Sequence, residues 1–299
     1  MFSKEFKRQT LGDKTFDVVN VLLCILILLV VLYPMYFVII ASISDPKAVN
    51  AGKVFFLPIG IHFKAYRMVF RDPMIVTGYL NSLKYMVLGT TFNLVMTILA
   101  AYPLSRRDLK GKGIFTAVLM FTMFFGGGLI PTFLVMNTLG MMNTIWAMIF
   151  PGAVSVYNTM VMRTYFTTSI PYELQEAAEV DGCRNFGILF RIVLPLSKPI
   201  IAVMILFYGV GHWNSWFNAL IYINDTDMYP LQLVLRSILI QNQQSQDMVG
   251  ELDTLGDRVM LAETMKYALI IVATLPMMIL YPFLQRYFVK GVMVGAVKG

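Results

Sequence analysis

Residues 171–199 read PYELQEAAEVDGCRNFGILFRIVLPLSKP, a charged segment bounded by prolines and set between two long apolar runs. No Asp, Glu, Lys or Arg occurs in residues 113–162 upstream of it, and none in residues 199–224 downstream. A helix needs about 20 mostly apolar residues to cross a bilayer. Working outward, residues 18–44, 85–105 and 267–285 are also free of charge, and each is long enough to cross once. The run at 113–162 has room to cross twice and carries its own break, NTLGMMN, at 137–143. The expectation is an all-α integral membrane protein with six transmembrane helices. They are placed near residues 18–41, 82–104, 114–128, 144–166, 200–222 and 264–288, the third ending or bending at Gly126–Gly128 just before Pro131.

Composition agrees with that class. The chain is 58% hydrophobic and only 14% charged, with a mean hydropathy of +0.69, outside the range of soluble globular domains. The first run is too long for a signal-peptide core and has no small-x-small cleavage site before Pro34, so it reads as an uncleaved helix. Cys24 falls in the first span and Cys183 in the charged segment, which leaves no expected disulfide.

The formal charge of +7 is distributed by topology. With the N-terminus inside, Lys and Arg divide 15 inside to 9 outside, while acids divide 8 to 9. Basic residues are retained on the cytoplasmic side during insertion. This places both termini and residues 168–198 in the cytoplasm and removes any need for a nucleic-acid partner. The organisation is then a cytoplasmic tail at 1–17, a membrane domain at 18–288 and a second cytoplasmic tail at 289–299.

Within the charged segment a short helix is expected over residues 172–181. Ser169 can cap a helix starting at Ile170 or Pro171, with Glu173 near its positive dipole end, and Gly182 can end it in a left-handed conformation. Glu173, Glu176, Ala177 and Val180 share one face by helical spacing. Ala177 and Ala178 allow close approach, Glu176 and Glu179 offer charge to basic partners, and Ile192, Leu194 and Pro195 return the chain to the membrane. A short rigid helix lying across a helix pair can transmit a rigid-body push. On these residues alone, an ordinary amphipathic loop helix is the alternative.

The spacing EAA-x3-G-x9-I-x-L-P, from Glu176 to Pro195, resembles the cytoplasmic loop with which bacterial ABC importer permeases grip their ATPase. The resemblance implies a type I ABC importer permease fold, with a coupling helix between helices four and five. It assigns ATPase coupling to Glu173, Glu176, Ala177, Ala178, Asp181, Gly182, Ile192, Leu194 and Pro195. GLIPTFLVMNTLGMMNTIWAMI at 128–149 and LPMMILYPFLQRYFVKGVMVGAVKG at 275–299 look like parts of maltose-type second permease subunits. Such subunits import oligosaccharides across the bacterial cytoplasmic membrane. They work with a different second permease, two ATPase subunits that carry ATP and Mg, and an extracytoplasmic solute-binding protein, and need no cofactor of their own. By the same likeness Gly295, Lys298 and Gly299 contact the ATPase. GGLIP, the SDP loop and HWNSWFN look like the branch that handles polysaccharide-derived oligosaccharides such as pectin or alginate fragments.

Tyr208, His212, Trp213, Asn214, Trp216 and Asn218 bring aromatic faces, amides and an imidazole into the fifth helix, as a sugar path requires. Polar groups inside a membrane face a bundle interior or water. Their alternative use is bonding between helices, with the tryptophans at the interface. The polar outer loop at 223–263, with QNQQSQ at 241–246, could meet a glycan or the binding protein. No phosphate-binding loop of the form G-x4-G-K-[ST] occurs, so ATP hydrolysis belongs to another chain. His62 and His212 do not make a metal cluster. Two rival readings remain: an ion-coupled secondary transporter, which needs carboxylates that the charge-free runs lack, and a membrane enzyme acting on glycans. For the latter, Asp225 and Asp227 are the one suggestive pair.

Overall fold

The computed structural model describes residues 10–248 and 265–282, with the side chains of 11 and 241–248 left aside. Every regular element among them is helical. The first helix, α1 (Leu11–Ser42), opens on a reciprocal capping box between Thr10 and Asp13. That cap starts the helix inside the segment expected to be a tail. The short helices α2 (Pro46–Asn50) and α3 (Lys64–Val69) follow. The expected second span is α4 (Pro73–Ser105), which begins well before residue 82 because Asp72 caps it and Pro73 suits its first turn.

Next come α5 (Lys112–Phe124) and α6 (Leu129–Thr138), inclined at 110° to each other. The bend expected at the glycines is there, with Gly128 at φ +86°. The straight fourth helix expected over 144–166 is instead a bent pair, α7 (Ile145–Ile149) with a 3-10 turn to Gly152, and α8 (Val156–Ser169), at 57°. Pro151-Gly152 end the first piece, and the Ser155 hydroxyl, accepting from the Asn158 N–H, starts the second.

The charged segment forms α9 (Tyr172–Val180) and α10 (Asn185–Leu196), the latter widened by a π turn at Leu189–Val193. Then α11 (Lys198–Trp213) leaves at 83° to α10. It stops at Trp213 rather than running to 222, and α12 (Phe217–Tyr222) follows a break at Asn214–Trp216. The outer segment expected to be an irregular loop contains an 18-residue helix, α13 (Leu231–Met248). Leu231, Leu233, Val234 and Leu235 are all buried around its first turn, and polar residues follow at 241–246. The last described helix is α14 (Met265–Pro282).

Among the described residues three helices, α1, α4 and α14, are each long and apolar enough to cross a membrane. Counting each bent pair, α5–α6, α7–α8 and α10–α11, as one broken span raises the number to six.

The described residues divide into two compact units, one drawn from 1–71 and 239–272, the other from 72–238 and 273–299. In the first, Ser42 and Tyr66 share a hydroxyl hydrogen bond of 2.9 Å, and Phe37 meets Tyr267 edge-on. In the second, α8 and α11 lie along α4. Between buried Ile75 and Tyr102, the buried face of α4 carries small or polar residues, Gly78, Ser82, Gly89, Thr90, Asn93, Thr97 and Ala101, along with one large side chain, Tyr85. Small residues let helices approach closely where lipid gives no hydrophobic drive between them. Toward the end of α4, Ala101 joins Met162, Phe166, Ile188, Leu189, Val193 and Met204 in one apolar cluster that seats α10.

Candidate functional site

The charged helix α9 starts at Pro171 without a side-chain cap; Ser169, expected to cap it, is instead the last residue of α8. Glu173 stands in its first turn. Its other end is a Schellman turn. The Cys183 N–H donates to the Ala178 carbonyl at 2.8 Å and the Gly182 N–H to that of Glu179 at 3.0 Å, with Gly182 at φ +79°. Gln175 and Ala178 face inward and are buried. Glu173, Glu176, Ala177, Asp181 and Gly182 are exposed, and Val180 is 89% exposed. Of the expected coupling residues on this helix, Ala178 alone points into the protein.

What holds the inward face is Arg106, the residue after α4, which is only 5% exposed. Its guanidinium donates to Gln175 Oε1 at 3.2 Å, to Asp108 Oδ1 at 2.8 Å and Oδ2 at 3.0 Å, and to Glu179 Oε1. Hydrogen bonding to Asp108 and Glu179 raises the Arg106 pKa further, and the same guanidinium holds the Asp108 carboxyl below the usual carboxylate range. Glu179 is thus engaged by Arg106 within this chain while its side chain stays 42% exposed. Arg107 adds a cation–π contact, 4.5 Å from the Tyr172 ring centre. Tyr102 donates to the Asn185 carbonyl at 3.2 Å, and Arg163 to that of Leu104 at 3.1 Å. Together these bonds fix α8, α9 and α10 to the end of α4. In the sequence Arg106 counts only toward the cytoplasmic excess of basic residues, and nothing in its spacing names it as the clamp.

In α10, Val193 is buried, Ile192 and Leu194 are half-buried, and Pro195 is exposed. The π turn ends at Val193, two residues before Pro195, whose ring cannot donate and crowds the preceding turn.

The six residues expected along a sugar path fall into two groups. Tyr208, His212 and Trp213 are buried and bonded to neighbouring elements. Tyr208 shares a 2.6 Å hydrogen bond with Thr97, His212 Nε2 lies 2.6 Å from Asn93 Oδ1, and Trp213 donates to the Ala273 carbonyl at 2.9 Å. The Asn93 amide donates onward to the carbonyls of Gly152 and Ala153, at the α7–α8 bend. Gly89 is what lets the imidazole in, because a Cβ there would occupy the His212 ring. Asn214, Trp216 and Asn218 instead lie at the break after α11. Asn214 is exposed and donates back to the Val210 carbonyl at 3.0 Å, Trp216 is 36% exposed, and Asn218 is half-buried. Arg236 of α13 lies over the Trp216 ring, 4.6 Å from its centre.

The suggestive acids at 225 and 227 form a turn. Asp225 Oδ1 accepts the Asp227 N–H at 3.0 Å, and Asn143 accepts the N–H groups of Asn224 and Asp225. Among the described residues no group of three His, Cys, Asp or Glu could hold a metal ion. Gly295, Lys298 and Gly299 lie outside the described residues.

Comparison with known proteins supplies the family. Residues 93–294 match the model described as "binding-protein-dependent transport system inner membrane component". The polygalacturonan/rhamnogalacturonan transport system permease protein YtcP of Bacillus subtilis (strain 168) is 39% identical over 96% of this chain and 99% of its own. Protein LplC of the same organism is 38% identical over 97% of each chain. A solved chain of a bacterial ABC transporter involved in importing the acidic polysaccharide alginate superposes with a TM-score of 0.84 at 32% identity, over 94% of this chain and 99% of that one. The chain belongs to the binding-protein-dependent transport system inner membrane components, as a non-catalytic, multi-pass permease subunit of an ABC importer.

Proposed function

We propose that this permease subunit forms half of the path of an ATP-driven importer of polysaccharide-derived oligosaccharides, and that α9 couples it to a separate ATPase. The observation that carries the coupling role is the two-sidedness of α9. Its inner face is tied to α4 through Arg106, while Glu173, Glu176, Ala177, Val180, Asp181 and Gly182 stay open on the outside. A partner that displaces such a helix moves the span attached to it, as rigid-body switching requires. Ala178 supports the seat from within, and Ile192, Leu194 and Pro195 set the turn back into the membrane.

The remaining partners follow from the same reading. Two ATPase subunits bind ATP and Mg, a second, different permease completes the path, and an extracytoplasmic binding protein delivers the sugar. The excess of basic residues in alternate segments supports cytoplasmic placement of α9 and both termini. Exposed Ile114, Phe115, Val118 and Phe121 on α5 suit lipid or the second permease. The transport of polygalacturonan, rhamnogalacturonan and alginate by relatives supports oligosaccharide as cargo. Asn214, Trp216 and Asn218 are the path residues this reading keeps, with Tyr208, His212 and Trp213 holding the path's wall. The likeness of the C-terminal sequence supports contact of Gly295, Lys298 and Gly299 with the ATPase.

The test is Gly182→Asp in the complete transporter, reconstituted with its ATPase, second permease and binding protein. The expected outcome is an assembled complex that still hydrolyses ATP but no longer accumulates oligosaccharide. Uptake at the wild-type rate would remove α9 from the coupling role.

A further inference from the structure

Arg236 is the one Lys or Arg between Lys198 and Arg258. It is half-buried on α13, and its guanidinium rests on Trp216 at the break between α11 and α12. A guanidinium carries five N–H donors in a planar fork. Among the described residues no carboxylate or carbonyl accepts any of those of Arg236. An arginine that rests on an aromatic ring, with no acceptor for its donors among the described residues, differs from Arg106, whose donors reach three side chains.

The chemistry that completes such a fork is a carboxylate, which takes two parallel N–H bonds. Trp216 remains 36% exposed and offers aromatic surface to sugar C–H groups, while Asn214 is exposed and Asn218 half-buried beside it in sequence. We infer that Trp216 and Arg236 form a contact site for a uronate unit, Arg236 binding the sugar carboxylate and Trp216 the ring. This inference rests on the oligosaccharide-import reading and adds the charge of the cargo: sugar acids are preferred over neutral sugars at this position.

The experiment uses the complete reconstituted transporter with trigalacturonate and its methyl ester as probes. Arg236→Gln is expected to lower trigalacturonate uptake by about tenfold or more, the loss of a charge-assisted hydrogen bond. Basal ATP hydrolysis and the yield of assembled complex stay at wild-type levels, and any methyl-ester uptake stays within about twofold of wild type. Arg236→Lys recovers part of the loss, because it keeps the charge but not the fork. Equal losses for both probes, equal losses in the Gln and Lys variants, or full trigalacturonate uptake in Arg236→Gln would each overturn the site. A wild-type transporter that imports only neutral oligosaccharides would overturn it while leaving the import reading intact. One that imports no oligosaccharide would bring down that reading as well.

Discussion

Two polar clusters lie against α4, and they are built for different purposes. Near its middle, buried Asn93 joins buried His212 of α11 to the Gly152 and Ala153 carbonyls at the α7–α8 bend. At its end, Arg106 joins Gln175, Asp108 and Glu179, but the helix it holds keeps its other face open. The first cluster locks three helical elements together; the second is a handle. Because both sit on one helix, a displacement of α9 would reach α4 and, through Asn93, the elements on either side of it. Burying polar groups is tolerable only when their bonds are complete, and here completeness also decides which elements move together.

The comparison breaks first at Arg106. Arg106→Ala removes every bond that ties α9 to α4 through that side chain. Oligosaccharide uptake per ATP hydrolysed should fall at least ~10-fold in proteoliposomes, with a stability loss of about 2 kcal/mol because Asp108 and Glu179 can regain water. An unchanged ratio of uptake to hydrolysis would make the clamp dispensable for coupling.

Gly89→Ala tests the inner cluster. Its Cβ would meet the His212 ring, so the thermal midpoint in detergent should drop by the equivalent of about 1–3 kcal/mol. Gly113→Ala, in open space on α5, should be neutral or stabilise by up to about 1 kcal/mol. Similar behaviour of the two variants would contradict the close packing at His212.

Smaller still, Gly182→Ala places a side chain at φ +79° and should cost about 1 kcal/mol, seen as faster proteolysis around α9 with the rest of the fold intact. The smallest effect is the pH response of Asp108. Its folded pKa is depressed by Arg106, so its contribution is present above the ordinary carboxylate pKa of about 4 and is lost as pH falls through the lower folded value. Protease sensitivity of the 106–112 turn should therefore be flat from neutral pH to about 5, where the carboxylate stays ionised. It should rise only below that in wild type, and Asp108→Asn should remove the rise.

Much of the architecture is legible because membrane insertion writes it into composition. Charge-free runs mark the apolar helices, Gly126–Gly128 mark the 110° bend, and Gly182 marks the end of α9. The unread parts share a physical cause. A polar residue in an apolar run has the same type whether it lines a path or bonds a neighbour, so Tyr208, His212 and Trp213 looked like Asn214, Trp216 and Asn218. Buried Leu231, Leu233, Val234 and Leu235 surround the first turn of α13 without marking one helical face, and polar residues follow at 241–246, so the sequence carries no helical period there. Arg106 and Arg236 were counted as charges on one side or the other. Their partners lie 69 and 20 residues away, at Gln175 and Trp216, and spacing along the chain carries no trace of such pairs.

The central claim, that the open face of α9 is where the ATPase docks, is tested most directly by cross-linking. Ala177→Cys, in a chain with Cys24 and Cys183 replaced by alanine, is assembled with ATPase subunits and treated with a short thiol-to-amine cross-linker. Gln232→Cys on α13 serves as the comparison. The account predicts a permease–ATPase product from position 177, with a yield that changes when ATP is added, and none from position 232. No product from 177, or equal products from both positions, would contradict it.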